Sequence, residues 1–343
     1  MRPTDNLNIV ELKPLITPRQ LREQLPLSDK QAKVVLDARD DIKSIITHRD
    51  KRMLVITGPC SIHDEASALD YASRLAKLQE KYSDKVLIVM RAYFEKPRTT
   101  IGWKGMLYDP DLNGSYNMEK GLRQARDIML KIIDMGLPVA TEVLEPIVPQ
   151  YITDLISWVA IGARTTESQI HRQMVSGLSM PIGFKNATDG SLDVAVQAIK
   201  TARNPHYFFG IDIDGRVAVA ETRGNIYTHF VLRGGTNGPN YETEYIAFAE
   251  ALLKKARIGT GIIVDCSHGN SFKDYRKQAD VINSIVSQKR EGNKSIVGVM
   301  LESFIEEGSQ NIDAESLKYG LSITDACIGW DKTESLITKL ANI

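Results

Sequence analysis

The chain is poor in cysteine, has no net charge and lacks any long apolar run. Cys60, Cys266 and Cys327 are its only thiols in 343 residues. A sparse, odd count excludes a disulfide framework. Lys plus Arg and Asp plus Glu both number 43. That balance argues against nucleic acid or an anionic membrane as the main partner, since both require a basic face. No apolar run approaches the ~20 residues needed to span a bilayer. The opening MRPTDNLNIVELKPL has no apolar signal core. A cytoplasmic protein with reduced thiols is therefore expected. Internal repeats, low-complexity tracts, C-x-x-C and H-x-x-x-H pairs are also missing.

What is present is a recurring unit of short apolar run, polar tip and helical stretch. The runs are MLVIT (53–57), VLIVM (86–90), LPVAT (137–141), WVAIG (158–162), MPIGF (180–184), HFVLR (229–233), GIIVD (261–265) and IVGVM (296–300). They are Val/Ile-rich and mostly continuous, the pattern of strands buried on both faces. Amphipathic helices lie between several of them. Leu122, Ala125, Met129 and Ile132 share one face, with Gly136 as a stop. Leu192, Ala195 and Ile199 repeat that spacing, as do Ala279, Ile282 and Val286. Eight such units predict an α/β fold, a (β/α)8 TIM barrel. An open doubly wound sheet competes less well, because no G-x-G-x-x-G turn follows the first strand.

Two segments fall outside the alternation. Residues 1–52 read as an N-terminal arm, with helix starts at Ile16-Thr17-Pro18 and Leu27-Ser28-Asp29. The segment 206–221, HYFFGIDIDGRVAVAE, reads as an inserted hairpin turning at Asp214-Gly215. The expected division is an arm over 1–52 and a catalytic barrel over 53–343 that carries the hairpin.

Functional residues of such barrels come from the C-terminal ends of strands. Here those ends supply Arg91, Lys96, Arg98, Arg164, Lys185 and Arg233. Cations directed at one mouth repel one another, so the arrangement makes sense only if anions neutralise it. Two phosphates and a carboxylate would match the count. Cys60, His268, Glu302 and Asp325 follow the first, seventh and eighth strands, which become neighbours when a barrel closes. As a mixed S/N/O set they suit a first-row divalent ion. By spacing alone, Cys60 reads first as a buried structural thiol and His268 as a hydrogen-bonded loop histidine. Cys266 and Cys327 read as structural.

The segments GPCSIHD, RAYFEKPRTTIGWKG, GARTTESQIHR, GFKNATDG, LRGG, DCSHGN and TDACIGW strongly resemble type I 3-deoxy-D-arabino-heptulosonate 7-phosphate (DAHP) synthase. The likeness covers essentially the whole chain, including the arm and the hairpin. It implies a metal-dependent barrel that condenses phosphoenolpyruvate with erythrose 4-phosphate at the head of the shikimate pathway. By that resemblance, Cys60, His268, Glu302 and Asp325 match the metal ligands, Mn2+ first, with Fe2+, Co2+ or Zn2+ as alternatives. Arg164, Lys185 and Arg233 match the phosphate site of phosphoenolpyruvate. Arg91, Lys96 and Lys185 match the groups around its carboxylate and reacting end. Arg98 and Thr99 match the erythrose 4-phosphate site. Lys96 is the expected proton donor, and Glu142 is a candidate for positioning water. A related octulosonate 8-phosphate synthase shares the barrel, but the Lys-Pro-Arg-Thr-Thr tip, arm and hairpin favour the heptulosonate enzyme.

The resemblance further implies inhibition by an aromatic amino acid and assembly as a homodimer or homotetramer. The expected effector pocket comprises Gln150, Ser179 and the hairpin around Phe208, Phe209 and Gly210, with Asp5 from a neighbour's arm. A small residue at Gly210 leaves room for a tyrosine hydroxyl. The alternative to an enzyme, a catalytically silent amino-acid sensor on the same barrel, predicts that site groups are missing; none is.

Overall fold

The computed structural model describes residues 4–98, 100–312 and 316–343. Two helices precede the barrel, α1 (Pro18–Gln24) and α2 (Asp29–Ile46). Each begins with a reciprocal capping box, Thr17 with Gln20 and Ser28 with Gln31, which satisfies N-terminal donors that have no partner within the helix.

The first half of the barrel is β1 (Met53–Gly58), α3 (Glu65–Tyr82), β2 (Val86–Arg91), α4 (Met118–Asp134), β3 (Val139–Glu142), α5 (Pro149–Ile152), β4 (Ile156–Ile161), α6 (Gln169–Gly177), β5 (Ile182–Lys185) and α7 (Asp193–Ala202). A hairpin of β6 (Tyr207–Ile211) and β7 (Val217–Glu221) follows. The second half is β8 (Thr228–Leu232), α8 (Thr243–Lys255), β9 (Ile262–Asp265), α9 (Gln278–Arg290), β10 (Ile296–Glu302) and α10 (Trp330–Ala341). All eight barrel strands are parallel, in the closed order β1-β10-β9-β8-β5-β4-β3-β2. All eight apolar runs in the sequence thus become barrel strands. The closing pair sets Gly58 level with Glu302, and Met300 lies level with Asp265. The tips of β1, β10 and β9 therefore adjoin.

The main core lies between the barrel and its helices, as in any sheet whose outer face must be covered. The second core fills the barrel with Leu54, Ile56, Val89, Trp158, Val231, Ile263 and Met300, and also includes Ile42, Ile45 and Ile46 of α2. So α2 stoppers the barrel and is part of its core. The Ile46 carbonyl accepts from Gly261 N–H (2.7 Å), and Arg39 donates to the carbonyls of Ile156 (2.9 Å) and Thr153 (2.6 Å). Inside the barrel, Trp158 Nε1 donates to His229 Nε2 at 3.1 Å. Burial pushes the His229 pKa down to about 4, which keeps that nitrogen free to accept.

The hairpin turns through Asp212–Arg216, closed by Asp212 N–H to Arg216 O and Gly215 N–H to Asp212 O. Gly215 supplies the positive φ, 75°, that a three-residue loop of this type requires. Arg19 of α1 pairs with Asp214 at 2.6 Å, so the arm and the hairpin tip meet. Among the described residues no helix is long and apolar enough to cross a membrane.

Ile45 and Leu36 on α2 separate a stopper from a loose appendage. Ile45 is fully buried and Leu36 is 56% exposed. Ile45→Ala is expected to cost about 3 kcal/mol in urea unfolding, the usual range for a large-to-Ala core change. Leu36→Ala should stay within about 0.5 kcal/mol. Near-equal small effects would mean that α2 contributes little to the barrel.

Candidate active site

The closing register brings Cys60, just past β1, against Glu302 at the end of β10. The chain after β10 folds back: Ile328 N–H donates to Glu302 O at 3.0 Å, and Cys327 pairs with Gly308. This return delivers Asp325 to the same place. Ligand atoms of Cys60, Glu302 and Asp325 lie within 4.8 Å of one another. His268, three residues past β9, presents Nε2 at 3.9 Å from Glu302 Oε1. Its other nitrogen, Nδ1, lies 3.0 Å from Asp265 Oδ2 and 2.9 Å from Ser267 Oγ. An imidazole held by a carboxylate at one nitrogen and open at the other is the usual state of a metal-ligating histidine.

The electrostatics follow from crowding. Burial, and then the Glu302 charge, push the Cys60 thiol up to about 11. Lys96 Nζ sits 3.0 Å from the sulfur and 3.2 Å from the Cys60 carbonyl. Burial acts to raise the Asp325 pKa, but the charges of Lys96 and His268 outweigh it and hold the carboxyl below its ordinary range. One thiol and two carboxylates facing one point, with an imidazole beside them, fit a divalent first-row ion.

Above this cluster opens a cavity of about 370 Å³, lined by Lys96, Arg98, Glu142, Arg164, Lys185 and Arg233 among others. Lys185 Nζ donates to Asp265 Oδ2 at 2.8 Å, with both groups buried. Burial lowers the Arg233 pKa. Glu142 ends β3 and lays its carboxylate against Gly162, where an added Cβ would fall 2.2 Å from Oε1 and displace the side chain. Arg91 lies beneath the floor. Its Nη2 is 3.2 Å from Glu302 Oε1, and its guanidinium stacks 4.0 Å from the Tyr93 ring centroid. Its Nη1 is buried and has no hydrogen-bond partner among the described residues. Thr99, the other residue expected at the second substrate, lies outside the described residues.

Sequence reading did not assign the groups that hold these side chains. Asp265 is fully buried and accepts from Lys185, His268 and both the N–H (3.0 Å) and Oγ (2.7 Å) of Ser267. Burial alone would raise its pKa; the charges of His268 and Lys185 hold it well below the usual carboxylate range. The one available signal was its position three residues before a candidate ligand. Behind it runs an amide network. Asn186 Oδ1 accepts from Arg233 N–H at 2.8 Å, Asn240 Oδ1 from Gly234 N–H at 2.7 Å, and Asn270 Oδ1 from Asn240 N–H at 2.8 Å. The network ties the tips of β5, β8 and β9 together and depends on close backbone approach. A Cβ at Gly234 (φ 67°) would meet Gly269 backbone at 2.4 Å.

A second cavity, about 440 Å³, lies between the hairpin and α6 and is lined by Gln150, Met174, Ser179, Phe208 and Gly210 among others. It gathers four of the six expected effector residues, Gln150, Ser179, Phe208 and Gly210. Phe209 does not line this cavity and is 85% exposed. Alternation on the hairpin puts Phe208 and Gly210 on the cavity face and Phe209, opposite Val219, on the other. Asp5 does not line this cavity either; its carboxylate accepts from its neighbour Asn6 at 3.2 Å.

Comparison with known proteins supplies the context. Residues 24–338 match the model of the DAHP synthetase I family. The Tyr-sensitive phospho-2-dehydro-3-deoxyheptonate aldolase of Escherichia coli (strain K12) is 51% identical over 338 residues, 98% of this chain and 95% of that protein. The Trp-sensitive counterpart from the same strain is 48% identical over 343 residues, 100% of this chain and 98% of that protein. The solved structure of phospho-2-dehydro-3-deoxyheptonate aldolase from Francisella tularensis SCHU S4 superimposes with a TM-score of 0.96 at 48% identity, over 98% of both chains.

A divalent ion held here by the Cys60 sulfur would have to expel the thiol proton. With the thiol near 11, the proton is present at neutral pH and one is released per ion bound. The apparent affinity for Mn2+ should therefore rise about tenfold per pH unit between about pH 6 and 9. Mn2+ titrations across that range test this, and Cys60→Ser should flatten the slope. A wild-type affinity independent of pH would remove the thiol from the ligand set.

Proposed function

The chain belongs to the DAHP synthetase I family, and from that premise we propose that it joins phosphoenolpyruvate to erythrose 4-phosphate, with water, to give DAHP and inorganic phosphate. The observation that carries the reading is the convergence of two groups at one mouth: a Cys60, Glu302 and Asp325 cluster within 4.8 Å and the cation-lined cavity above it.

Residue roles follow from that arrangement. Cys60, Glu302 and Asp325, with His268, would hold a divalent ion, Mn2+ in our reading. When bound, the ion would supply Lewis acidity for the aldehyde. Arg164, Lys185 and Arg233 bind the phosphate of phosphoenolpyruvate, and Arg91 and Lys96 attend its carboxylate and reacting end. Arg98 and Thr99 take the phosphate of erythrose 4-phosphate. Fixing both substrates in reacting geometry lowers the entropic cost of the encounter. Carbon 3 of phosphoenolpyruvate attacks the aldehyde carbon and forms the new C–C bond. Lys96 gives a proton to the aldehyde oxygen as that oxygen gains charge. Water adds at carbon 2, positioned by Glu142, and phosphate leaves as the C–O bond breaks.

Inhibition by an aromatic amino acid belongs to the same reading, and we place the effector in the cavity at Gln150, Ser179 and Gly210. Tyrosine is favoured, because Gly210 leaves space on the hairpin face. The exposed apolar residues Tyr207, Phe209, Val217 and Val219 of the hairpin and Leu7, Val10 and Leu12 of the arm support assembly as a homodimer or homotetramer, in which Asp5 would reach a neighbour's pocket. The arm and hairpin would then serve both assembly and regulation of a catalytic barrel in the cytoplasm.

Phosphate release tests the reading. It should require both substrates and Mn2+, and stop on chelation. Lys96→Ala should lower kcat by about 10²–10⁴, the usual range for a positioned acid. Tyrosine should inhibit more strongly than phenylalanine or tryptophan. Turnover with either substrate alone, full activity after chelation, or an unimpaired Lys96→Ala would each contradict the corresponding assignment.

A further inference from the structure

Residues 268–273 are bent sharply by residues unsuited to bending. His268, Phe272 and Lys273 have φ of 55°, 52° and 62°. Left-handed backbone is disfavoured for side chains with a Cβ and most unusual for bulky ones. The bend is fixed internally, by Lys273 N–H to His268 O at 2.8 Å and Phe272 N–H to Gly269 O at 3.2 Å. Glycine or asparagine would adopt the Lys273 backbone at less cost. Such strain collects where a side chain is needed in one place.

That place is the rim of the catalytic cavity, which Lys273 lines together with Arg98. Among the described residues the Lys273 ammonium makes no hydrogen bond or ion pair, whereas Lys185 pairs with Asp265 and Arg98 donates to Trp103 O at 2.8 Å. Its positive charge nevertheless reaches the Asp325 carboxylate.

The strand order says which substrate it faces. Around the mouth, β2, β1, β10 and β9 are consecutive, and β8, β5, β4 and β3 form the other half. Arg164, Lys185 and Arg233 stand on the second half, at the tips of β4, β5 and β8. Arg98 follows β2 and Lys273 follows β9, so these two cations flank the Cys60, Glu302 and Asp325 cluster from either side.

We propose that Lys273 is a specificity-determining residue for the phosphorylated aldehyde, closing on its phosphate from the side opposite Arg98. The proposal rests on the reaction assigned above. An ammonium that makes no hydrogen bond or ion pair among the described residues gains most from a phosphate, and its place across the ligand cluster from Arg98 suits a four-carbon chain whose aldehyde end lies at that cluster.

Lys273→Asn tests this, since asparagine tolerates the left-handed backbone, with Lys273→Arg as the conservative variant. In Lys273→Asn the KM for erythrose 4-phosphate should rise about tenfold or more. The KM for phosphoenolpyruvate and the Mn2+ content should stay near wild type, and Lys273→Arg should recover most of the loss. With unphosphorylated erythrose at high concentration, wild type and Lys273→Asn should be equally efficient. An unchanged KM for erythrose 4-phosphate, an equal rise in both KM values, lost Mn2+, or a penalty that persists with erythrose would overturn the role of Lys273 alone. Wild-type enzyme that forms no product from the substrate pair would overturn the reaction and this proposal together.

Discussion

One buried carboxylate organises the catalytic mouth. Asp265 accepts from Lys185 on one side and from His268 on the other, while Ser267 satisfies its second oxygen. A buried charge is tolerable only when paired and hydrogen-bonded, and Asp265 is both. The same carboxylate anchors the Lys185 ammonium at the cavity wall and fixes the orientation of the imidazole, so that its other nitrogen faces Glu302. The anion site and the ligand cluster thus share one support.

Barrel closure does the rest. Cys60, Glu302 and Asp325 span more than two hundred residues of sequence, and they meet because β1 closes against β10 and the following chain returns through Ile328. Glu302 also pairs with Arg91, so the floor beneath the cavity is cross-linked by charge between β2 and β10. At the opposite end, α2 fills the barrel with three isoleucines. The stability of the barrel therefore extends into a segment whose sequence looks like an appendage.

Much of this was legible in the residues. Continuous Val/Ile runs identified every barrel strand, because strands covered on both faces cannot alternate polar and apolar positions. Thr17 and Ser28 marked helix starts through their caps. The cations were legible from their position just after strands. The supports were not. Asn186, Asn240 and Asn270 act through backbone groups brought close by tertiary packing, and asparagine in a loop carries no such message in sequence. Phe208 and Phe209 read alike in the sequence, since two neighbouring phenylalanines give no sign of which one faces the cavity. Ile42, Ile45 and Ile46 lie in a stretch that reads as an arm, and nothing in the sequence points to the barrel interior they occupy. Lys273 lacked any signal, because left-handed backbone at a lysine is visible only in three dimensions.

The shared support makes a demand that a loose collection of site residues would not. Asp265→Asn keeps size and shape but removes the charge. The most direct measurement is Mn2+ affinity together with the KM for phosphoenolpyruvate in this variant, alongside its thermal unfolding. Mn2+ affinity should fall about 10–100-fold, the usual effect of losing a carboxylate behind a ligating histidine, and the KM for phosphoenolpyruvate should rise in the same variant while the fold persists. A folded Asp265→Asn enzyme with wild-type values for both would contradict the central claim.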